Sequence, residues 1–381
     1  MANEANKITK KNWTARFNLI GNAKINDYTF KIDERSQKSS WVYNSMNILV
    51  DCGKSYGSCS AQLMGGFSPE RDNFVYANSK DDFSKVIKVD WEDRENEAVL
   101  DELHDMSFIK VGLEKTASGK IYTKRFLSPY DAIKYINEHI EDGMPVSISG
   151  NIKYSIYNDT VQMNREITSI YLYEGNTDNF HATFTQTMLV DKDSASLKQI
   201  DKATGIMPVD VLVLDYLKEI NGHEVKGQFP YHMQFEYMFD MGKPELVKKI
   251  YDKLFKVKKG YTQITFEGDF VSGGSAVKAT EDDIPDDIKG LIGIVFTLDE
   301  ALEMCSDNGS REFHMFIRKP IVRTVGNDDN KQHVLQVFPE QYDDDDLDVS
   351  WVYENSDDDE EQAPFDTDDS SDDDDLDWLN L

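Results

Sequence analysis

The sequence predicts a mainly β chain with inserted helices, arranged as two small five-stranded barrels in tandem and followed by a disordered acidic tail. Three observations support this fold class. Alternating apolar residues at strand spacing recur through the first 340 residues. Each half contains one helical pattern that ends at a glycine and is followed at once by a strand pattern. The last segment, residues 341–381, contains 19 Asp and Glu and no Lys or Arg.

The charge of the chain restricts its classes of partner. The formal net charge is -30 over 381 residues. Residues 1–340 still hold 52 acids against 41 Lys and Arg, which is unlike the basic body of a typical duplex-DNA binder. A nucleic-acid site on this chain must therefore be a local basic groove.

The cysteine count and the lack of long apolar runs indicate a soluble protein of a reducing compartment. Cys52, Cys59 and Cys305 are too few and too far apart for a disulfide framework or a zinc site. No secretory signal follows Met1, and no stretch reaches the length of a membrane span. We expect no metal, no cofactor and no membrane contact. We also expect a cytoplasmic location.

The first half begins with a polar segment, residues 1–12, that we expect to be flexible. Strand patterns start at Trp13, and a charged insertion occupies residues 69–105. Two further strand patterns form a predicted hairpin that turns near residues 117–119. We assign residues 13–173 to the first domain.

The clearest local signal is a helix that starts after Ser128. Ser128 is a suitable N-cap, Pro129 occupies the first helical position, and apolar residues repeat at helical spacing up to Ile140. Gly143 closes the pattern. Two long strands follow, joined by a predicted turn at residues 158–159.

The second half repeats the order of the first. Its helical pattern begins near Pro244 and closes at Gly260, and a strand pattern follows. Gly150 and Gly268 both fall inside the strand after the closing glycine, which indicates an internal duplication of architecture. Strands, one helix and two more strands is the order of an OB fold, a small five-stranded barrel. Other α+β domains share that order and are the structural alternative.

Composition also predicts the remaining boundaries. A turn-rich segment at residues 174–179 separates the two domains. The second domain covers residues 180–325 and contains an insertion with a further helical pattern at residues 274–310. The acidic tail covers residues 341–381.

The tail combines extreme charge with an apolar tip. Its composition excludes a packed core, so we expect it to be disordered. Its last residues nevertheless place apolar side chains behind four aspartates. A solubilising role is the alternative for such a tail, but solubility does not require Trp378. We predict that the tip binds a partner protein through Leu376, Trp378, Leu379 and Leu381.

Binding of single-stranded nucleic acid requires aromatic faces for the bases and cations for the phosphates. The first half alternates these residue types, most densely at residues 120–126. A place in the core is the alternative for most of the rings, but Lys120, Tyr122 and Lys124 share one face of a strand and would be exposed together. The predicted nucleic-acid-binding residues are Tyr28, Lys31, Lys38, Trp41, Tyr43, Lys120, Tyr122, Lys124, Arg125, Lys153, Tyr154 and Arg318.

The OB-like order of the body and the acidic tail with its apolar end resemble single-stranded DNA-binding proteins of phage or mobile-element replication and recombination. The resemblance implies sequence-tolerant coating of single-stranded DNA. It also implies recruitment of replication or recombination proteins by the tail, and competition between the tail and DNA for the groove. The tip departs from the common bacterial ending, because it lacks the final Pro-Phe.

Three other functions stay open at the level of sequence. A DNA-mimic inhibitor of the antirestriction kind would spread acids over its folded surface, and a metal-dependent nuclease would need a carboxylate site. A generic acidic interaction protein is the third. The sequence contains no nucleophile elbow, no metal-ligand histidine pair and no phosphate loop. We therefore do not expect an enzyme.

Overall fold

A computed structural model describes residues 8–158, 160–220, 223–273, 284–289, 292, 297–298, 312–325 and 331–350. The described chain is mainly β, with short helices between strands, which confirms the predicted fold class. Most of its strands belong to one continuous 14-stranded sheet that curls into two barrels.

The first half of the chain supplies the first barrel and its insertion. Its elements are β1 (Ala15–Lys24), β2 (Phe30–Arg35), β3 (Val42–Asp51), β4 (Ser58–Phe67), β5 (Phe74–Asn78), β6 (Val86–Asp90), α1 (Glu97–Leu100), β7 (Ile109–Lys115), β8 (Ile121–Phe126), α2 (Pro129–His139), β9 (Pro145–Tyr157) and β10 (Thr160–Leu172). The predicted hairpin at residues 117–119 is confirmed, because β7 and β8 pair antiparallel on either side of it.

Five of these strands close into a barrel. β1 pairs antiparallel with β3 and β9, β3 pairs with β4, and β9 pairs with β10. β10 also runs parallel to β4, which completes the circuit. In barrel order the fifth strand therefore lies between the third and the fourth, and the fourth returns to the first, as in an OB fold. β2 pairs antiparallel with β3 at the edge of the barrel. We call residues 30–41, which comprise β2 and its connection to β3, the rim hairpin.

Helix α2 packs across the base of this barrel and begins where the sequence predicts. The Ser128 hydroxyl accepts a hydrogen bond from the Tyr130 amide, and Pro129 follows at the first helical position. Its buried face carries Ala132, Ile133 and Ile136. Gly65 on β4 permits the close approach of the helix, because a Cβ there would lie 2.7 Å from the Pro129 Cβ.

The insertion between β4 and α2 forms a small unit with its own core. β5 and β6 pair with each other, and β7 extends the sheet by running parallel to β10. A separate apolar cluster stabilises this unit. It consists of Ala77, Val89, Leu103, Phe108 and Leu127.

The second half repeats the barrel. Its elements are β11 (His181–Val190), β12 (Ile206–Ile220), β13 (His223–Met238), α3 (Pro244–Leu254), β14 (Tyr261–Gly273), α4 (Asp286–Lys289), β15 (Glu312–Pro320), β16 (Val322–Val325), β17 (Gln332–Leu335) and β18 (Val337–Tyr342). β11 pairs with β12 and β14, β12 with β13, β14 with β15, and β15 runs parallel to β13. The strand circuit is the same as in the first barrel, so the predicted duplication is confirmed.

A glycine and a phenylalanine recur at equivalent places in the two barrels. Gly150 lies opposite Phe17, and Gly268 lies opposite Phe184. A Cβ on Gly150 would come within 2.8 Å of the Phe17 ring, and one on Gly268 within 2.1 Å of the Phe184 ring. The glycine in each fourth strand therefore leaves the space that the aromatic ring fills.

The two barrels share one interface. Their first strands, β1 and β11, pair antiparallel with Phe17 opposite Phe184. Beside this seam, the Arg165 guanidinium of the first barrel lies 5.0 Å from the Phe270 ring and 5.1 Å from the Phe313 ring of the second. Its Nε donates a hydrogen bond to the Ser60 carbonyl at 2.5 Å. β10 ends at Leu172 and β11 begins at His181, on either side of the predicted domain boundary.

Residues 8–11, which we call the strap, pack against the C-terminal strand. Ile8 is buried in the same apolar cluster as Tyr342. The Tyr342 hydroxyl donates a hydrogen bond to the Thr9 carbonyl at 2.8 Å and accepts one from the Lys11 amide at 3.1 Å. The predicted flexible N-terminus is therefore wrong for the strap, and residues 1–7 lie outside the described part.

The predicted start of the acidic tail also needs correction. Gln341 and Tyr342 end β18, which pairs with β14, and Leu347 is buried. Folded structure thus continues past residue 341 because these side chains complete the cluster around the strap. The remaining residues, 351–381, lie outside the described part, and so do the predicted partner-binding residues Leu376, Trp378, Leu379 and Leu381.

Candidate nucleic-acid interface

Alternate residues of β2, β3 and β4 form an outer face of the first barrel. Met46 and Ile48 of β3 are fully buried, so their odd-numbered neighbours point away from the barrel interior. The strand register places Lys31 opposite Ser45 and Tyr43 opposite Gly66. Several of the predicted nucleic-acid-binding residues therefore belong to this one face.

Trp41 and Tyr43 form a stacked aromatic pair on the same face. Their ring centroids are 4.8 Å apart, and their planes differ by 15°. Both side chains are half-buried. Gly66 leaves bare backbone beside Tyr43, because a Cβ there would lie 2.8 Å from the Tyr43 Cβ. A partly exposed ring pair next to bare backbone is a surface on which a base can stack.

The rim hairpin carries cations beside this ring pair. Lys38 and Arg35 are exposed, and neither makes an ion pair with another described residue. Lys31 is half-buried on β2, and Tyr28 is 84% exposed in the turn before it. Residues 30–41 contain these three cations and two acids, so the local charge is slightly positive on an otherwise acidic protein.

One of the two acids is held by helix α2. The Tyr130 hydroxyl donates a short hydrogen bond to Asp33. Burial and this hydrogen bond raise the pKa of Tyr130 to about 12, so the phenol keeps its proton at neutral pH. The contact ties the rim hairpin to the base of the barrel, and it leaves Glu34 as the free acid of the hairpin.

The predicted cluster at residues 120–126 is only partly available. Tyr122 on β8 and Lys120 just before it are exposed, and β8 lies at one end of the strand order of the sheet. The Lys124 ammonium, however, lies 4.6 Å from the centre of the Tyr135 ring. The Arg125 guanidinium lies 4.8 Å from the Phe108 ring centre and 3.5 Å from an Asp101 oxygen. The two cations therefore already have intramolecular partners.

Tyr154 and Lys153, which the sequence also predicts to contact nucleic acid, occupy places that disfavour such contact. Tyr154 is wrong as a stacking residue: its side chain is buried, and its hydroxyl donates to Gln186 at 3.0 Å. Burial raises the pKa of Tyr154. The Lys153 ammonium lies 3.8 Å from the buried carboxylate of Asp215.

Arg318 pairs with a carboxylate in the second barrel. Its Nε lies 3.2 Å from Asp269 Oδ2, an ion pair. Burial raises the pKa of Asp269, and Arg318 opposes that shift. Binding of a phosphate by Arg318 would therefore break an existing pair and leave a partly buried carboxylate without it.

A pocket of about 400 Å³ lies beside Trp41, between the barrel and the insertion. Phe67 of β4 and Phe74 and Trp91 of the insertion line it. No local pattern could predict this pocket, because its walls come from segments far apart in sequence. The ring content of each segment was visible in the sequence, but their meeting point was not.

The described ranges contain neither a metal-binding cluster nor a membrane-spanning helix. Within them, no group of three or more His, Cys, Asp or Glu residues is placed to hold a metal ion. None of the helices found there has both the length and the apolar character needed to cross a membrane. Cys52 and Cys59 are buried free thiols, and burial raises the pKa of each.

The strand circuits and the ring pair define the class: a mainly β protein built from two OB-type barrels. The sequence profile of the family described as YorF matches residues 77–286, which is more than half of the 381 residues. The chain belongs to the YorF family. A search of curated proteins gives no match.

Two crystal structures of the single-stranded DNA binding protein from Thermus aquaticus show weak likeness. The wild-type structure has a TM-score of 0.32 and 8% identity over 68% of this chain and 86% of that chain. A deletion mutant of the same protein has a TM-score of 0.30 and 8% identity over 68% of this chain and 87% of that chain. At these values the likeness carries no weight, and the barrels are assigned from strand pairing alone.

Proposed function

We propose that the chain binds single-stranded DNA without sequence preference on the outer face of the first barrel. The stacked pair of Trp41 and Tyr43, with Lys38 and Arg35 beside it, is the observation that carries the proposal. Tyr43 lies on the second barrel strand, β3, and Trp41 lies just before it, at the end of the connection between the first two barrel strands. OB folds bind oligonucleotides in this region.

Each part of this surface matches one part of a single strand. The rings can stack on bases in any order, because every base has a flat π face. The cations of the rim hairpin can follow the phosphates. A duplex hides its base faces within its own stack, so it can offer only phosphates to a body that carries excess negative charge. The surface therefore favours single strands over duplex.

The wider role that we propose is in DNA replication or recombination of a phage or mobile element, in the host cytoplasm. The apolar tip of the tail, with Trp378 and Leu379 at its centre, would recruit a protein of that machinery. The carboxylates of residues 351–381 would compete with DNA for the rim hairpin, since both are polyanions. We propose no catalytic activity for the chain.

The direct test compares an unstructured oligonucleotide with a duplex of the same length in fluorescence titrations at several salt concentrations. We expect the single strand to bind far more tightly. We also expect the log-log salt slope to change by roughly -0.7 for each phosphate neutralised.

Two results would contradict this proposal. Equal affinity for single strand and duplex would show that the stacked rings do not contribute to binding as proposed. No binding to either, even at low salt, would remove the nucleic-acid interface altogether. Cleavage of the oligonucleotide only when a divalent metal ion is added would favour the nuclease alternative.

A further inference from the structure

We propose that the pocket beside Trp41 holds one unstacked nucleobase of a single strand that lies on the first barrel. This inference rests on the proposed function, which supplies the strand. It adds a site formed jointly by the barrel and the insertion. The pocket has a volume of about 400 Å³, within the usual range for small-ligand sites.

Aromatic side chains supply much of the lining of the pocket. Phe67 and Trp91 lie 5.1 Å apart between ring centroids, and Trp41 lines the pocket as well. Gly65 and Gly66 are also among the lining residues. A flat, apolar ring with polar edges fits such a space better than an aliphatic group, because two of its faces can stack.

Trp91 is held in place from behind. The Arg94 guanidinium lies 4.2 Å from the Trp91 ring centre, and it donates to the Asp131 carboxylate of α2 at 2.8 Å. Trp91 itself is 9% exposed. The ring wall is therefore fixed before any ligand arrives.

The loop that forms the rim is also ordered. The Asn73 side-chain amide donates to the Ser68 carbonyl at 2.7 Å, and its oxygen accepts from the Ser68 amide at 2.8 Å. The Ser68 hydroxyl lies 2.7 Å from the Ser40 hydroxyl next to Trp41. These bonds connect the insertion to the rim hairpin, so a base entering the pocket need not order the loop.

A cation lies near the mouth, where the phosphate of the bound nucleotide would emerge. Arg71 lines the pocket on the exposed rim loop. The Lys88 ammonium lies 3.3 Å from the centre of the Phe74 ring and so already has an intramolecular partner. Asp72 also lines the pocket and offsets part of the Arg71 charge. Rings for the base and a cation for its phosphate thus meet within one site.

The second barrel has no equivalent insertion. Its third strand ends at Met238 and its helix begins at Pro244, whereas residues 68–128 separate β4 from α2 in the first barrel. The pocket walls that come from the insertion therefore have no counterpart between β13 and α3. One such site on one barrel would give a bound strand a preferred register.

The test labels the five tryptophans of the full chain with 5-fluorotryptophan and follows them by fluorine NMR. Trp41→Phe and Trp91→Phe variants assign the two relevant signals. The probes are thymidine 5′-monophosphate and an unstructured oligothymidylate. We expect both probes to shift the Trp91 signal as well as the Trp41 signal, because Trp91 lines the pocket and is not on the outer face.

Variants of the wall separate the pocket from the outer face. In titrations that follow the Trp91 signal, Phe74→Ala should weaken nucleotide affinity about fivefold or more, as expected for loss of one stacked ring. Tyr76→Ala is the matched control, since Tyr76 is on the same strand, is 67% exposed and does not line the pocket. If Phe74→Ala lowers the melting temperature, the Arg71→Glu variant is used in its place. The same loss of nucleotide affinity is expected for it.

The outcomes distinguish the two proposals. If the oligothymidylate shifts Trp41 while neither probe moves Trp91, the pocket proposal is overturned and the proposed function stands. If the oligothymidylate does not bind, both are overturned. Equal responses of Phe74→Ala, Arg71→Glu and Tyr76→Ala would also overturn the pocket proposal.

Discussion

A side chain can bind a ligand only if the rest of the chain leaves it uncommitted. Lys38 meets this condition on the rim hairpin, whereas Lys124 is already placed over the Tyr135 ring. The two lysines look alike in the sequence, where each has an aromatic residue close by. Their difference arises from contacts between distant elements, which local patterns do not contain.

Trp41 is the residue on which binding should depend most. We expect Trp41→Ala to weaken single-strand binding by about 1 to 3 kcal/mol, because one stacking face is lost. A side chain that is only half-buried should cost less stability than the roughly 3 to 5 kcal/mol of a core aromatic. Titrations beside thermal melts measure both quantities. Phe83→Ala is the control, since Phe83 is 52% exposed on the insertion, outside the face and its pocket.

A large fall in melting temperature without loss of affinity would show that Trp41 stabilises the core and does not bind the DNA. Tyr122 stays a candidate of the same kind, because it is 50% exposed on β8. Tyr122→Ala tests whether the bound DNA strand extends from the outer face of the first barrel to the insertion.

At the scale of elements, the sequence predicts best where the signal is local. Helix α2 begins at Pro129 because Ser128 caps it, and α3 begins at Pro244. No local pattern indicates β18 or the strap, because their stability comes from partners distant in the sequence: β18 pairs with β14, and Tyr342 bonds the Thr9 carbonyl 333 residues away. Tyr154 was misplaced for a related reason: alternation says which residues share a face, but not which face is buried.

The duplicated glycine gives a prediction at this scale. Gly268→Ala should destabilise the protein by about 1 to 3 kcal/mol or more, since overpacking forces backbone shifts. The added Cβ would lie 2.1 Å from the Phe184 ring and 2.4 Å from the Phe316 carbonyl oxygen. Gly273→Ala on the same strand is the control, because a Cβ there meets nothing within 4 Å. Chemical denaturation measures both variants, and equal stabilities would contradict the role assigned to Gly268.

At the scale of the whole molecule, charge is unevenly divided. Residues 351–381 carry 14 Asp and Glu, so their removal changes the formal net charge from -30 to -16. Residues 1–350 would remain acidic, and the rim hairpin would remain a small positive area within them. Any DNA that approaches the first barrel therefore meets repulsion at long range and attraction only close to the hairpin.

Truncation after Ser350 should leave the fold intact and tighten single-strand binding at low salt. The removed carboxylates are covalently linked to the rest of the chain, so under the proposed function they would compete with phosphate at high effective concentration. The gain should fade as salt rises, since the Debye length falls to about 10 Å at 0.1 M. Titrations of the truncated and full chains across a salt series measure the effect.

Two controls separate charge from the other roles of the C-terminus. Changing Trp378 and Leu379 to Ala keeps every charge, so DNA affinity should be unchanged while capture of a replication or recombination partner falls. Truncation after Glu340 removes Tyr342 and Leu347 as well, and should lower the melting temperature. If the chain cut after Ser350 binds no more tightly at low salt, the tail does not compete with DNA.

The strap also determines the order in which a newly made chain can be completed. Residues 8–11 are made before the barrels, whereas Tyr342 is made 331 residues after Lys11. The strands of both barrel circuits end at Pro320, so they precede Tyr342 out of the ribosome and can begin to fold before the strap has its partner. Until then Ile8, Leu189 and Leu214 lack the cover that Tyr342 and Leu347 provide. A chain released before Tyr342 would thus carry an exposed apolar patch by which chaperones and proteases could recognise it as unfinished.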